Sequence, residues 1–409
     1  MNEKFETNFN VNNDTHEKVL EDHAYKVFAS RKNWVESEAL AQLRHVSGLP
    51  GMVAVYAMAD IHPGKGGPVG AAMFAKDTIY PALIGSDVGC GMRFSMLEKH
   101  IGKVHLDRWE KRLTARTPVT FSREFVEERM ALAQVAKTDF DDAMGTIGHG
   151  NHFAELQVVK KIFDQELFES LGLDRRAVYL TVHSGSRSYG NAILRSFTDR
   201  FGATGIGRGD AAFDEYLNEH DNALKWGRLN RSLIAERLLE KLPAGERLIL
   251  DLPHNFLESL GDGAWIHRKG AAPANRGPVI IPGSRGSATY LVMPLDECAQ
   301  MGYSIAHGAG RKYNRIRTRQ KAKSRFTRKE LKRLPGGARL VTNDQDSVFE
   351  ESPDGYKNIE TIIADIEEFG MAAPIASFEP VLTYKVNPKM EKKKSSFFQR
   401  RDYEENASL

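Results

Sequence analysis

Cysteine and long apolar runs are both scarce in this 409-residue sequence. Two cysteines, Cys90 and Cys298, cannot form the disulfide framework of a small secreted scaffold. The longest apolar run, residues 52–59, is too short to span a bilayer. The N-terminal residues are polar and include no apolar h-region, so we expect no secretory signal and a cytoplasmic location. In a reducing compartment, a cysteine in an unusual setting indicates metal binding or catalysis.

An excess of charge of one sign is also missing. The chain has 57 Lys and Arg against 54 Asp and Glu, a formal charge of +3, and 41% of its residues are apolar. This composition excludes collagen-like, disordered and membrane-embedded chains. The charge is unevenly distributed, because residues 311–333 include twelve Lys or Arg and one acid, and residues 344–354 are acidic. The basic block indicates either a polyanionic partner or a solvated helix face.

Strand-like and helix-like segments follow one another without a regular βαβ rhythm, which favours an α+β fold over a doubly wound one. A buried strand is expected to end at Met58, with a loop from Ala59 onward. Strands are predicted at residues 52–58, 71–74, 78–83, 177–182, 248–252, 279–281, 289–293 and 380–386, and helices at residues 125–144, 211–242 and 359–369.

Five histidines lie beside strand ends or in glycine-rich loops, namely His62, His152, His183, His254 and His307. Glycines let the backbone turn sharply and approach a ligand closely. Junctions between strands and loops commonly present catalytic groups on a rigid scaffold. One such histidine is more often structural, but five in polar, glycine-rich surroundings indicate a site.

Asp87 and Cys90 are three residues apart, and glycines flank the cysteine. This spacing can direct a carboxylate and a thiolate at one centre. Thiolate with imidazole is a ligand set for transition metals, zinc being the first choice, and a carboxylate extends it toward harder metals. The alternative is that Cys90 is a small buried hydrophobic residue. The glycines and the nearby acid favour a ligand.

His307 lies between glycine-rich residues that expose backbone N–H groups, a candidate cradle for a phosphate or ribose. A neutral imidazole can attack phosphorus to form a phosphoramidate. Residues 282–286 form a second candidate anion loop. Either loop alone is weak evidence.

Taken in order, these segments resemble the RtcB family of 3′-phosphate RNA-splicing ligases. The shared motifs are D-x-H-x-G-x-G, D-x-G-C-G, G-N-H-F-x-E, H-S-G-S-R, H-N, R-K-G, P-G-S-x-G and H-G-A-G-R, at residues 60–66, 87–91, 150–155, 183–187, 254–255, 268–270, 282–286 and 307–311. The resemblance implies one α+β unit over residues 1–386, with mixed sheets and helices around a metal-lined cleft. Residues 387–409 would be a polar C-terminal extension.

The resemblance implies two Mn²⁺ ions side by side. Asp87, Cys90 and His152 would bind the first ion. Cys90 would also bind the second ion, together with His183 and His254.

The resemblance also assigns the remaining chemistry. His307 would be the nucleophile that takes GMP from GTP, Asn151 would orient phosphate oxygens, and Glu155 would accept guanine N–H groups. Asp60 is expected beside the metals or the RNA end, with a catalytic role, and His62 near it. The implied guanylate pocket comprises Asn151, His152, Phe153, Ala154, Glu155, His254, Asn255, Pro282, Gly283, Ser284, Arg285, Thr289, His307, Gly308, Ala309, Gly310 and Lys385.

The implied reaction joins an RNA 3′-phosphate or 2′,3′-cyclic phosphate to a 5′-hydroxyl, through a histidine-guanylate and an RNA-3′-pp-5′-G end. The expected partners are GTP, fragments of tRNA or rRNA and an optional activator protein, with the chain a monomer or a weak dimer. The position of the basic block directly after His307 favours a track for the RNA backbone. Tyr303 and Tyr313 could stack on bases or simply pack.

Two alternatives compete with a ligase. One is a metal-dependent phosphoesterase acting on RNA 3′ ends without guanylylation, which would not need His307 as a nucleophile. The other is a non-catalytic RNA-end binder, which is expected to have lost a ligand or the nucleophile. Arg285 replaces the family's Met, Thr289 its Ser, and Ala306 a frequent Ser or Cys, which suggests a divergent branch.

Overall fold

The computed structural model describes residues 25–114, 121–334, 336–342 and 344–385. The predicted C-terminal extension, residues 387–409, lies outside the described residues. The strands are β1 (Tyr25–Val27), β2 (Met52–His62), β3 (Val69–Lys76), β4 (Thr78–Ile79), β5 (Gly91–His100), β6 (Phe153–Ile162), β7 (Ala177–Ser184), β8 (Ile206–Gly207), β9 (Glu246–Pro253), β10 (Asn255–Gly261), β11 (Ala264–Lys269), β12 (Ala271–Pro273), β13 (Val279–Pro282), β14 (Thr289–Pro294), β15 (Ser304–Ala306), β16 (Arg339–Val341) and β17 (Ala372–Tyr384).

The α-helices lie between and beside these strands. They are α1 (Ser37–Ser47), α2 (Pro81–Ile84), α3 (Leu106–Thr114), α4 (Arg123–Leu132), α5 (Gln165–Ser170), α6 (Ser188–Phe201), α7 (Ala211–Lys241), α8 (Arg315–Arg325), α9 (Arg328–Lys332), α10 (Ser347–Glu350) and α11 (Ile359–Glu368). Within the described ranges, no helix is both long and apolar enough to cross a membrane.

Two large sheets organise the fold. The first has the order β1, β2, β3, β11, β10, and the second the order β13, β14, β17, β6, β7, β5, β9, with β16 pairing with β17. Most pairs are antiparallel, whereas β1 with β2 and β16 with β17 are parallel. This mixture of antiparallel sheets and helices confirms the predicted α+β class.

One hydrophobic cluster joins the two large sheets. Met58 on β2 and Ala72 on β3 belong to the same buried cluster as Val292 on β14. Ile305 on β15 and Ile362 on α11 complete its centre. Burying this apolar surface fixes how the sheets lie against each other.

Three predicted boundaries are wrong. β2 continues past Met58 to His62, because Asp60 and Ile61 are buried strand residues. The predicted strand over residues 78–83 stops after Ile79, since Pro81 begins the short helix α2, where its missing N–H costs nothing. The predicted helix over residues 125–144 ends at Leu132, and Gln134 has a left-handed φ of 54°.

The long helix predicted over residues 211–242 is confirmed as α7. Asp210 caps its N-terminus by accepting a hydrogen bond from the Ala212 N–H. The other predicted strands and the helix α11 are confirmed within about two residues, except that β17 begins at Ala372, eight residues before the strand predicted over residues 380–386.

Candidate metal and nucleotide site

A cleft of about 410 Å³ is lined by both large sheets. The first sheet contributes the end of β2 and the start of β10, and the second contributes β5, β6, β7 and β17. The loops that precede β5 and β6 and the loops that follow β13 and β15 also line it. All five singled-out histidines line this cleft, so the structure brings together segments that are far apart in the chain.

The predicted metal ligands form one connected series of donor atoms. Asp87 Oδ2 lies 2.8 Å from His152 Nε2, and His152 Nε2 lies 3.4 Å from Cys90 Sγ. Cys90 Sγ lies 3.2 Å from His183 Nε2, which is 3.3 Å from His254 Nε2. Cys90, His152 and His183 form the candidate metal-binding group in which all ligand atoms lie within 4.8 Å of one another.

The histidine rings are oriented as metal ligands are. Nδ1 of His152 lies 3.0 Å from the Ile147 carbonyl oxygen, and Nδ1 of His183 lies 3.2 Å from that of Asn151. A proton donated from each Nδ1 to its carbonyl leaves the Nε2 lone pair free to face the other ligands. Burial lowers the pKa of His183 and of His254 well below the ordinary value, which favours the neutral, ligating form.

Burial also affects the pKa values of the Cys90 thiol and the Asp87 carboxyl. Burial and the neighbouring Asp87 charge raise the pKa of the Cys90 thiol well above its ordinary value. Burial alone would raise the pKa of Asp87, but His152 and Arg187 lower it, so this carboxylate is ionised. A cation placed among these groups would favour the thiolate. The donor set therefore fits a divalent cation.

Residues of helix α7 form hydrogen bonds with the segments that carry the predicted metal ligands Cys90 and His183. Arg231, fully buried, donates from Nη1 to the carbonyls of Gly89 (2.6 Å) and Ser184 (2.9 Å). Its Nε donates to Asp251 Oδ1 at 3.0 Å, and Asn230 Nδ2 donates to Ser184 Oγ at 3.1 Å. The loop before Cys90 and the end of β7 beyond His183 are thus joined to one helix.

Asp60 and His307 form a buried pair on the other side of the cleft. Asp60, with no exposed surface, places Oδ2 2.6 Å from His307 Nδ1 and 3.2 Å from the His307 backbone N–H. The imidazole of His307 is 4.7 Å from that of His254, measured between ring centroids. A Cβ on Gly310 would lie 2.2 Å from the Asp60 carbonyl oxygen, so this close approach requires glycine.

The predicted guanylate residues meet in this cleft, with two exceptions. Ala154 points into the apolar cluster under β6, and Thr289 is buried on β14. Thr289 is linked to the cleft through Gln157, whose Nε2 donates to Thr289 Oγ1 and to Glu155 Oε1, both at 2.8 Å.

The cleft is also lined by three buried charged residues, Glu155, Arg285 and Lys385. Burial raises the pKa of Glu155 and lowers that of Lys385 to about 8. Arg285 lies beside them in the loop that follows β13. Cys298 is buried outside this cleft, with its Sγ donating to the Met371 carbonyl.

Comparison with known proteins identifies the family. Residues 42–138 and 126–386 match the family described as tRNA-splicing ligase RtcB. The chain belongs to the RtcB family. It is 40% identical over 360 residues to the RNA-splicing ligase RtcB2 of Escherichia coli, an alignment that covers 87% of this chain and 94% of the relative. It is 29% identical to the tRNA-splicing ligase RtcB of Nanoarchaeum equitans, over 88% of this chain and 94% of the relative.

Membership of the RtcB family confirms the resemblance inferred from the motifs. It implies a metal-dependent ligase, and the group formed by Cys90, His152 and His183 is a candidate metal site. The matched residues reach 386, so they include every predicted site residue.

Four arginines of the basic block, residues 311–333, form ion pairs with the acidic segment, residues 344–354. Arg311 and Arg315 contact Glu351, at 3.0 and 3.2 Å. Arg319 contacts Asp346 and Arg325 contacts Asp354.

A smaller group of cations stands apart from these ion pairs. The charged groups of Lys312, Arg317 and Lys321 lie 5.7, 4.6 and 4.0 Å from the centre of the Tyr313 ring. Tyr313 is half-buried, and Asn314 and Arg315 beside it line the cleft. We call Lys312, Tyr313, Arg317 and Lys321 the Tyr313 cluster.

Sequence reasoning missed the residues that support the RtcB motifs. Gln157 and Arg231 contact partners more than 100 residues away. Of these two residues, only Arg231 could have been predicted as buried from the sequence, because it follows Ala223 and Gly227 at intervals of four residues on one helix face. A charged residue on the buried face of a helix requires a partner.

Proposed function

We propose that this chain is an RNA ligase that joins a 3′-phosphate or 2′,3′-cyclic phosphate end to a 5′-hydroxyl end, with GTP as cosubstrate. The observation that carries the proposal is the position of His307. Its Nδ1 faces the buried carboxylate of Asp60, and its ring is 4.7 Å from that of His254 in the series of metal ligands. A candidate nucleophile and a candidate cation site thus share one cleft, and the carboxylate of Asp60 is buried next to that nucleophile.

Two Mn²⁺ ions fit the donor series as the motifs suggest. Asp87, Cys90 and His152 would hold one ion, and Cys90, His183 and His254 the other. The carboxylate makes Mn²⁺ a reasonable occupant of a set that otherwise suits zinc. When bound, such ions polarise phosphate oxygens and neutralise negative charge.

His307 would act through Nε2. With the Nδ1 proton directed at Asp60, the Nε2 lone pair attacks the α-phosphorus of GTP, the Nε2–P bond forms, and the P–O bond to pyrophosphate breaks. An oxygen of the RNA 3′-phosphate then attacks the same phosphorus and breaks the Nε2–P bond, which yields the RNA-3′-pp-5′-G end.

Sealing then follows at the RNA phosphorus. The 5′-hydroxyl oxygen attacks the 3′-phosphate, a phosphodiester forms, the hydroxyl proton leaves to solvent, and GMP departs. A cyclic phosphate end is first opened by water. Asn151, at the mouth of the metal series, would orient phosphate oxygens, and Glu155 would accept guanine N–H groups, with Lys385 donating to the base.

The RNA would cross the Tyr313 cluster on its way to the cleft. The ring of Tyr313 offers a face for a base, and its three surrounding cations offer partners for phosphates. The substrate class supported here is broken RNA with these ends, of which tRNA and rRNA fragments are examples.

A phosphoesterase without guanylylation is less well supported. It would use the metal ligands, but it would have no need of His307 paired with Asp60. A non-catalytic RNA-end binder would not require all five ligands and the nucleophile to converge.

The test is covalent labelling with α-³²P-GTP and Mn²⁺. We expect an acid-labile label on the wild type that is absent from His307→Ala and Cys90→Ala. Cys298→Ala is the matched control, because Cys298 is a buried cysteine outside the cleft, and it should label normally. A wild type that binds metal and RNA but takes no label would overturn the ligase mechanism.

A further inference from the structure

Arg285 is a buried cation with unused hydrogen-bond donors. It lies in the loop between β13 and β14 and lines the cleft, with 9% of its surface exposed. Its Nη2 donates to the Val348 carbonyl at 3.1 Å. Its Nε and Nη1 have no hydrogen-bond partner among the described residues.

Neither nearby carboxylate pairs with these two donors, although the carboxylate oxygens of Glu155 each keep a second acceptor position. The two oxygens of Glu155 accept from Gln157 and Thr383. Those of Glu351 accept from Arg311, Arg315 and Tyr356. The free donors of Arg285 are therefore available to a ligand.

An unpartnered buried guanidinium calls for a physical explanation, because leaving such donors unpaired destabilises a fold. Burial lowers the pKa of Arg285 to about 10, so the side chain is still charged at neutral pH. The bond to Val348 uses one of the two hydrogens of Nη2, so the other can act with Nε or with Nη1 as one planar fork, which suits a ligand with two adjacent acceptors.

We propose that Arg285 donates to N7 and O6 of the guanine and makes the nucleotide site reject adenine. The inference rests on the proposed function, and it adds a residue that reads the base. With Glu155 on the N1–H and N2–H edge, the acceptors O6 and N7 come next around the ring. Arginine is the side chain that best matches these two atoms.

Adenine would not satisfy Arg285. It has an amino group where guanine has O6, so one donor of the fork would face another donor. A charged donor left unpaired in a closed pocket disfavours the wrong base strongly. Lys385 can also donate to these acceptors, but its ammonium lacks the planar fork that fixes the direction of approach to both of them.

The test compares GTP with 7-deaza-GTP, which lacks the N7 acceptor, and with ATP, in single-turnover formation of the covalent nucleotide adduct. We expect the wild type to use 7-deaza-GTP about tenfold less efficiently than GTP. Arg285→Met, which keeps an unbranched side chain but removes the guanidinium, should use GTP and 7-deaza-GTP equally and should show a smaller preference for GTP over ATP. Arg195→Met, an exposed arginine on α6, is the matched control and should behave as the wild type.

Equal use of GTP and 7-deaza-GTP by the wild type would overturn the inference while leaving the adduct, and hence the proposed function, intact. An unchanged discrimination in Arg285→Met would also overturn it. A wild type that forms no adduct with GTP would overturn the proposed function itself. The wild-type comparison needs no variant, so it is decisive even if Arg285→Met fails to fold.

Discussion

The contribution of the Asp60 charge to the reactivity of His307 can be predicted from the contacts of that carboxylate. Asp60 Oδ2 accepts a hydrogen bond from the His307 backbone N–H and lies 2.6 Å from His307 Nδ1, a contact whose alignment falls short of a hydrogen bond, whereas Asp60 Oδ1 has no hydrogen-bond partner in the described structure. In Asp60→Asn, the amide oxygen should therefore take the place of Oδ2. The orientation and tautomer of the imidazole are then kept, and only the negative charge is lost.

The size of the effect follows from that comparison. Hydrogen bonds to charged groups contribute about 1.5–3 kcal/mol, against about 1 kcal/mol for neutral ones. The lost difference of about 0.5–2 kcal/mol corresponds to a roughly 2- to 30-fold slower step. Asp60→Ala should be slower still, because it leaves the backbone N–H of His307 without its acceptor.

The assay is the single-turnover rate of histidine-guanylate formation, followed by intact mass. Bound metal per chain should be unchanged in Asp60→Asn, because Asp60 is not in the series of metal ligands. A rate equal to the wild type would show that the charge is not used. Inactivity as complete as that of His307→Ala would also refute the reasoning, since orientation should survive.

Three further predictions concern the metal, the base and the RNA. Cys90→Ala should lose more than half of the bound Mn²⁺ by elemental analysis, because the Cys90 sulfur lies between both groups of ligands. Cys298→Ala should retain its Mn²⁺. Equal metal content in the two variants would exclude a bridging thiolate. The pKa of Lys385 is about 8, so the ammonium is lost as the pH rises through that value, and the GTP concentration for half-maximal labelling should rise up to about tenfold between pH 7 and 9. Lys385→Arg, which stays charged, should rise less, and an identical rise would contradict the assignment. Arg317→Ala should lower the slope of log RNA affinity against log salt by about 1. Arg319→Ala should lower it by less, because Arg319 is already paired with Asp346. Equal changes would contradict the inference that the Tyr313 cluster, and not the paired arginines, contacts RNA phosphates.

Much of the fold was predictable where the periodicity was long. The 31-residue helix α7 was predicted from its spacing, and the buried strands were predicted from β-branched runs. The end of β2 was not, because Asp60 is polar, and a polar residue normally indicates the end of a buried strand. Here Asp60 remains in the strand because it contacts His307, which is 247 residues away.

The site was predictable as a set of loops, because glycines and histidines share short motifs. The contacts that shape it were not, since they join side chains across the fold. The basic and acidic blocks show the same limit. Both are visible in the sequence, but only the structure shows that Arg311 and Arg319 are paired with acids while Lys321 faces an aromatic ring.

The division of the cleft between two sheets has a mechanical consequence. Asp60 is attached to the first sheet, whereas Cys90 and His183 are attached to the second. The distance between Asp60, which faces the proposed nucleophile, and the proposed ligands therefore depends on how the two sheets pack around Met58, Val292 and their neighbours. A small change in side-chain volume at one of these apolar positions can lower the reaction rate without altering any polar group in the cleft. Selection can thus adjust the rate from the hydrophobic interior, where closely packed side chains transmit small displacements.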